Sequence, residues 1–138
     1  MPSSSIGAVC VHWALLELMV ERVISKIDPR RPDNALLTVR EDIDRQLDRL
    51  KKLAHGKLPS AQVEEIRAIV GRIKTLKQER HRVVHGLWGI DPNGDVASIY
   101  FRDKSGTVMK TRTAPDLQRL KLDIWQEYLA LEKIAPLN

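Results

Sequence analysis

The residues best equipped for chemistry lie in one run, Glu79-Arg80-His81-Arg82-Val83-Val84-His85-Gly86. It places two of the four histidines and two arginines within six residues. Imidazole titrates near neutral pH, so it can take or give a proton. Guanidinium stays charged and grips phosphate oxygens bidentately. Together these groups suit metal-independent cleavage of an RNA phosphodiester. That reaction needs a base for the 2′-hydroxyl, an acid for the leaving 5′-oxygen and a cation for the charge building on phosphorus. Upstream, residues 67–82 carry six basic side chains (Arg67, Arg72, Lys74, Lys77, Arg80, Arg82) against one acid, Glu79, a net of +5. A basic stripe leading to paired histidines fits a phosphate-backbone footprint.

Spacing limits how these groups can act together. At about 100° per residue, Arg80 and His85 stand about 140° apart on a regular helix. His81 and His85, at i and i+4, are neighbours. One straight helix does not aim Arg80 and His85 at one phosphate, whereas facing helices of two subunits, or a bent helix end, can. One imidazole also cannot perform both proton transfers at once, and a two-fold dimer supplies a second His85. Structural roles compete for the same residues. Arg80 falls in register with an apolar seam and can pair with a buried acid, for which Glu17, amid Leu15, Leu16, Leu18 and Met19, is the first choice. His85 before Gly86 can act simply as a cation at a helix C-terminus. His81 and His85 have zinc-compatible spacing, but no clustered cysteine or obvious third ligand accompanies them, so no metal or other cofactor is expected.

Arg80-His81-x-x-x-His85 resembles the Arg-x(4–6)-His motif of HEPN domains, and the longer run Arg-His-Arg-Val-Val-His-Gly-Leu-Trp strengthens the likeness. His81 stands where Asn or Asp is often found. The resemblance implies a small helical bundle, a homodimer whose motif helices meet, and often a metal-independent endoribonuclease. Arg80 and His85 would then be catalytic, with His81 orienting them and Arg82, Lys77 and Lys74 guiding the RNA backbone. It also implies a toxin or defence setting, commonly with an antitoxin of nucleotidyltransferase type. Some members of the family are catalytically silent, so a dimeric interaction module that binds a protein or nucleotide is the alternative.

The elements that must position these residues follow from periodicity. Ser3 to Ser5 can cap a first helix running to about Lys26, with Ile6, Val9, Trp13, Leu16, Val20, Val23 and Ile27 stepping by three and four. Asp28-Pro29-Arg30-Arg31-Pro32 breaks it. A second helix is expected from Asp33 to Ala54, ended by Gly56. A third starts at Pro59-Ser60 and runs to about Gly86, with Val63, Ile66, Val70, Ile73, Val84 and Leu87 on one face. Alternation then replaces the helical period, and the turn sequences Asp91-Pro92-Asn93-Gly94 and Asp103-Lys104-Ser105-Gly106 frame a β-hairpin within about 89–113. Thr113 and Pro115 open a last helix with Leu117, Leu120, Ile124, Tyr128, Leu131 and Ile134 on its stripe. The expected fold class is all-α: an antiparallel four-helix bundle, with a β-hairpin inserted before the last helix, in one domain over residues 1–138.

Composition agrees with a globular domain. The chain has 138 residues, a formal charge of +5, 43% hydrophobic and 30% charged residues. A single cysteine, Cys10, excludes an internal disulfide framework, suits a reducing cytosol, and lacks a basic neighbour to activate it. The apolar stretch from Ile6 to Val20 has no basic residue before it and is interrupted by His12 and Glu17, unlike a secretory or membrane segment. A cytoplasmic location is therefore expected. No Walker loop, G-x-S-x-G elbow or structural-zinc spacing occurs.

Overall fold

The computed structural model describes residues 2–28, 42–85, 87–90, 97–103, 106–112 and 114–134, with side chains over 6–28, 42–84 and 116–134. Four helices form a bundle: α1 (Pro2–Ile27), α2 (Ile43–Lys57), α3 (Ser60–His85) and α4 (Ala114–Ile134). Each helix packs on the next, and α1 closes the ring on α4.

The helix ends follow local chemistry. Asp42 stands at the N-cap position of α2 without a side-chain cap, its carbonyl accepting from the Gln46 amide at 3.1 Å, and that helix begins at Ile43 rather than Asp33. The expected stretch from Asp33 to Glu41 lies outside the described residues. Gly56 does not end α2; the Leu58 amide closes it by donating to the Ala54 carbonyl at 2.9 Å. Pro59 has no amide to lose at a helix start, and its carbonyl accepts from the Val63 amide at 3.0 Å to open α3.

The core is the set of facing stripes. Val9, Trp13, Leu16, Val20 and Val23 of α1 meet Ile43, Leu47, Leu50 and Ala54 of α2 in one buried cluster. Ile66, Ile69, Val70, Ile73 and Val83 of α3 and Leu117, Leu120, Ile124 and Leu131 of α4 complete it. Near its C-terminus the buried position of α3 is Val83, not Val84, which is only half-buried. On α4 the buried residue beside Ile124 is Glu127, while Tyr128 is half-buried.

Between α3 and α4 lies a three-stranded antiparallel sheet, β1 (Leu87–Ile90), β2 (Ala97–Asp103) and β3 (Gly106–Arg112), in which β1 adds a strand that the expected hairpin lacks. β1 pairs with β2 in the register Leu87 to Tyr100, and β2 with β3 in the register Ala97 to Arg112. The sequence around Leu87 and Trp88 reads as a helix end, yet the chain turns there into a strand. A third strand gives the insertion pairing that an isolated hairpin lacks. β2 also touches α3.

One ion pair ties α3 to α4. Arg72 Nε donates to both carboxylate oxygens of Glu127, at 3.1 and 3.0 Å, joining α3 to α4. Glu127 is 7% exposed, so its charge depends on that donor. Removing the donor strands a buried acceptor, and Arg72→Ala should destabilise the fold by about 1–3 kcal/mol. The half-exposed arginine and solvent screening favour the lower end. Urea unfolding of the two proteins measures this, and an unchanged midpoint would show that Glu127 is satisfied without Arg72.

Candidate functional site

The C-terminal half of α3 carries the whole motif. Arg80 stands seven residues beyond Ile73 and three before Val83, both fully buried, so it occupies a core-seam position. Its guanidinium lies over the Trp13 indole of α1, with Cζ 5.2 Å from the ring centroid. That is cation–π distance, and Trp13 itself is buried. The Arg80 Nε is buried and finds no hydrogen-bond acceptor. Among the described residues no ion pair joins Arg80 to Glu17, which is half-buried on α1 one turn beyond Trp13 and has interactions of its own. The first-choice partner for Glu17 thus faces an indole instead.

His81 is exposed and Arg82 half-buried. His85 is the last residue of α3, separated from β1 by Gly86 alone, and its side chain lies outside the described residues. The structure therefore brings Arg80, His81 and His85 to the last turns of one helix, beside its junction with the sheet. Trp88 is in β1, and its side chain also lies outside the described residues.

The basic stripe is largely neutralised within the fold. Lys77 Nζ donates to Asp44 at 2.6 Å and Lys74 Nζ to Asp48 at 2.9 Å. The two pairs run in opposite chain order along α2 and α3, which lie antiparallel there. Arg72 is held by Glu127. Arg67 lies 3.7 Å from Glu64, and Arg82 3.8 Å from Glu79, each within one helix. Of the six basic side chains in the stripe, Arg80 is the one with no described carboxylate partner. Lys74 and Lys77, expected as RNA guides, would have to leave acids to meet a phosphate.

The hydrogen bond and charge of Lys74 hold the Asp48 carboxyl below its ordinary value. A folded-state value lowered in this way favours folding above the carboxyl's unfolded value. The gain is lost as pH falls through the lower, folded one. Lys74→Met should move the Asp48 titration, followed by carboxyl NMR, back up toward the ordinary range. An unmoved titration would show that Lys74 is not the partner in solution.

Among the described residues no group of three or more His, Cys, Asp or Glu is placed to hold a metal ion. No helix there is long and apolar enough to cross a membrane. Compared with known proteins, the chain matches no family model, no curated protein and no solved structure.

Sequence reasoning missed Glu127, Gln46 and Glu21, the buried polar residues among the described ones. For Glu127 a signal was present. The series Leu117, Leu120, Ile124, Glu127, Leu131, Ile134 steps by three and four without a break. A carboxylate inside such a series marks a buried acid that needs a donor.

Proposed function

We propose that the protein is a metal-independent endoribonuclease of HEPN type, with its reacting groups at the C-terminal end of α3. One observation supports this most: Arg80 is the cation of the basic stripe that no described carboxylate neutralises. An arginine braced on an indole face keeps its charge available for a phosphate better than one clamped by an acid. His85 is the proton-transfer residue, His81 the polar group that orients it, and Arg80 the phosphate clamp. A homodimer with the two motif ends near its two-fold axis supplies the second imidazole that the acid and base roles require. RNA is the substrate. A cytoplasmic toxin role, opposed by an antitoxin of nucleotidyltransferase type, is the setting the resemblance implies.

The acid partners of Lys74 and Lys77 favour a second reading. A stripe whose charge is spent inside the fold is a weak polyanion footprint, and Arg80 against Trp13 is also a sound structural contact. The protein would then be a non-catalytic dimeric helical module that binds a protein or nucleotide. Incubation of the purified protein with RNA in EDTA separates the two. Cleavage that leaves 2′,3′-cyclic phosphate and 5′-hydroxyl ends supports the nuclease. Activity lost in EDTA and restored by zinc transfers the chemistry to a His81–His85 metal site. No cleavage of any RNA favours the module.

A further inference from the structure

We propose that the outer face of α1, with the adjoining edge of α4, is a docking surface for one amphipathic helix of a partner protein, a helix that carries acidic residues at one end. This inference does not depend on the ribonuclease reading. Between Ile6 and Glu21 the exposed residues of α1 are Gly7, Val11, Ala14, Leu15 and Leu18. None carries a charge or a polar side chain, in a chain that is 30% charged. They fall within an arc of about 100°, on the side of α1 opposite Trp13 and the core. Val11 is 58% exposed, Leu15 38% and Leu18 41%. A side chain on Gly7 would meet nothing within 4 Å, so its absence serves no packing inside the fold.

α4 carries two further exposed leucines. Leu122 and Leu129 are 47% and 40% exposed and seven residues apart, on one side of that helix. Aromatic contacts join the two helices. His12 of α1 meets Trp125 of α4 edge-on at 5.6 Å, and Trp125 stacks on Tyr128 at 4.5 Å. All five of the exposed large hydrophobic residues among the described ones therefore belong to this pair of helices.

Size and charge select the occupant. The patch offers a few hundred Å² of apolar surface. That is short of the roughly 800 Å² per partner that a stable domain–domain interface buries. It suits a single helix anchored at i, i+4 and i+7, the spacing of Val11, Leu15 and Leu18. The stripe continues into Arg22 and Lys26, both exposed and neither with a described carboxylate partner. A second copy of α1 fits badly. Laid antiparallel, it would bring these cations to the positive N-terminal end of its helix, whose first fifteen residues contain no acid. Laid parallel, it would set Arg22 on Arg22 and Lys26 on Lys26. A partner helix with Asp or Glu at that end removes both conflicts.

The test uses the full chain and two fluorescent synthetic peptides, each about 18 residues long so that a helix can persist. They share one Leu/Ala face and differ in ending with a Glu cluster or a Lys cluster. Anisotropy titration should show the Glu-ended peptide binding at least about tenfold more tightly, a difference of about 1.4 kcal/mol. Leu15→Asp, or Val11→Asp should the first fail to fold, should abolish binding. The double variant Arg22→Glu with Lys26→Glu should reverse the preference between the peptides. Equal binding of the two, or binding of neither, overturns the proposal. So does light scattering that shows a wild-type dimer split to monomers by Leu15→Asp, which assigns the face to a second copy.

Discussion

Alanine at position 85 should lower RNA cleavage by about 10²–10⁴-fold, the usual contribution of a positioned acid–base group. Arg80→Ala should lower it by about 10²–10³-fold, the effect of removing one donor from a developing oxyanion. Arg80→Lys should not restore the rate, because an ammonium cannot reproduce a planar two-point grip on phosphate. Cleavage rates in EDTA, measured on variants verified as folded dimers, decide the matter. The two losses should differ in kind. His85→Ala should leave RNA affinity nearly intact, whereas Arg80→Ala removes the charge proposed to contact phosphate and should also flatten the salt dependence of binding. A wild-type protein as inert as His85→Ala would remove the enzyme reading and leave the interaction module.

What could be read from residues alone divides along a physical line. Periodicity reports which face of a helix is buried, and it placed Arg80 in the seam through its seven-residue spacing from Ile73. It does not report what lies across the seam. Trp13 and Glu17 are one turn apart on α1, and only the docking of α1 against α3 decides that the indole meets the guanidinium. The basic stripe meets the same limit. Counting charges over 67–82 ignores the acids of α2, yet Asp44 and Asp48 stand four residues apart and meet Lys77 and Lys74, three apart on the antiparallel helix. That ladder becomes legible only when the two helices are read as a pair. At Leu87 the difficulty is local: a short apolar run carries no period that separates a helix end from a strand. The shift to alternation farther along made β2 and β3 readable where β1 was not.

Trp13 should prove to be the residue on which both the fold and the motif most depend. It is 3% exposed, and Trp13→Ala would leave a cavity worth about 3–5 kcal/mol. Against a total stability of about 5–15 kcal/mol, that brings the domain close to unfolding. The loss has two parts that a double-mutant cycle can separate. One is the packing of the ring against the core. The other is the cation–π contact with Arg80, worth about 0.5–2 kcal/mol according to how far the guanidinium is desolvated. The buried Nε of Arg80, with no acceptor, argues for the upper part of that range, since the indole is then its main compensation. Trp13→Leu and Arg80→Met, singly and combined, keep apolar volume while removing the ring and the charge in turn. Denaturant unfolding of the four proteins should show the two changes costing less together than the sum of each alone. Strict additivity would mean that the guanidinium gains nothing from the ring in solution. The brace that keeps Arg80 clear of carboxylates would then have to come from another part of the bundle.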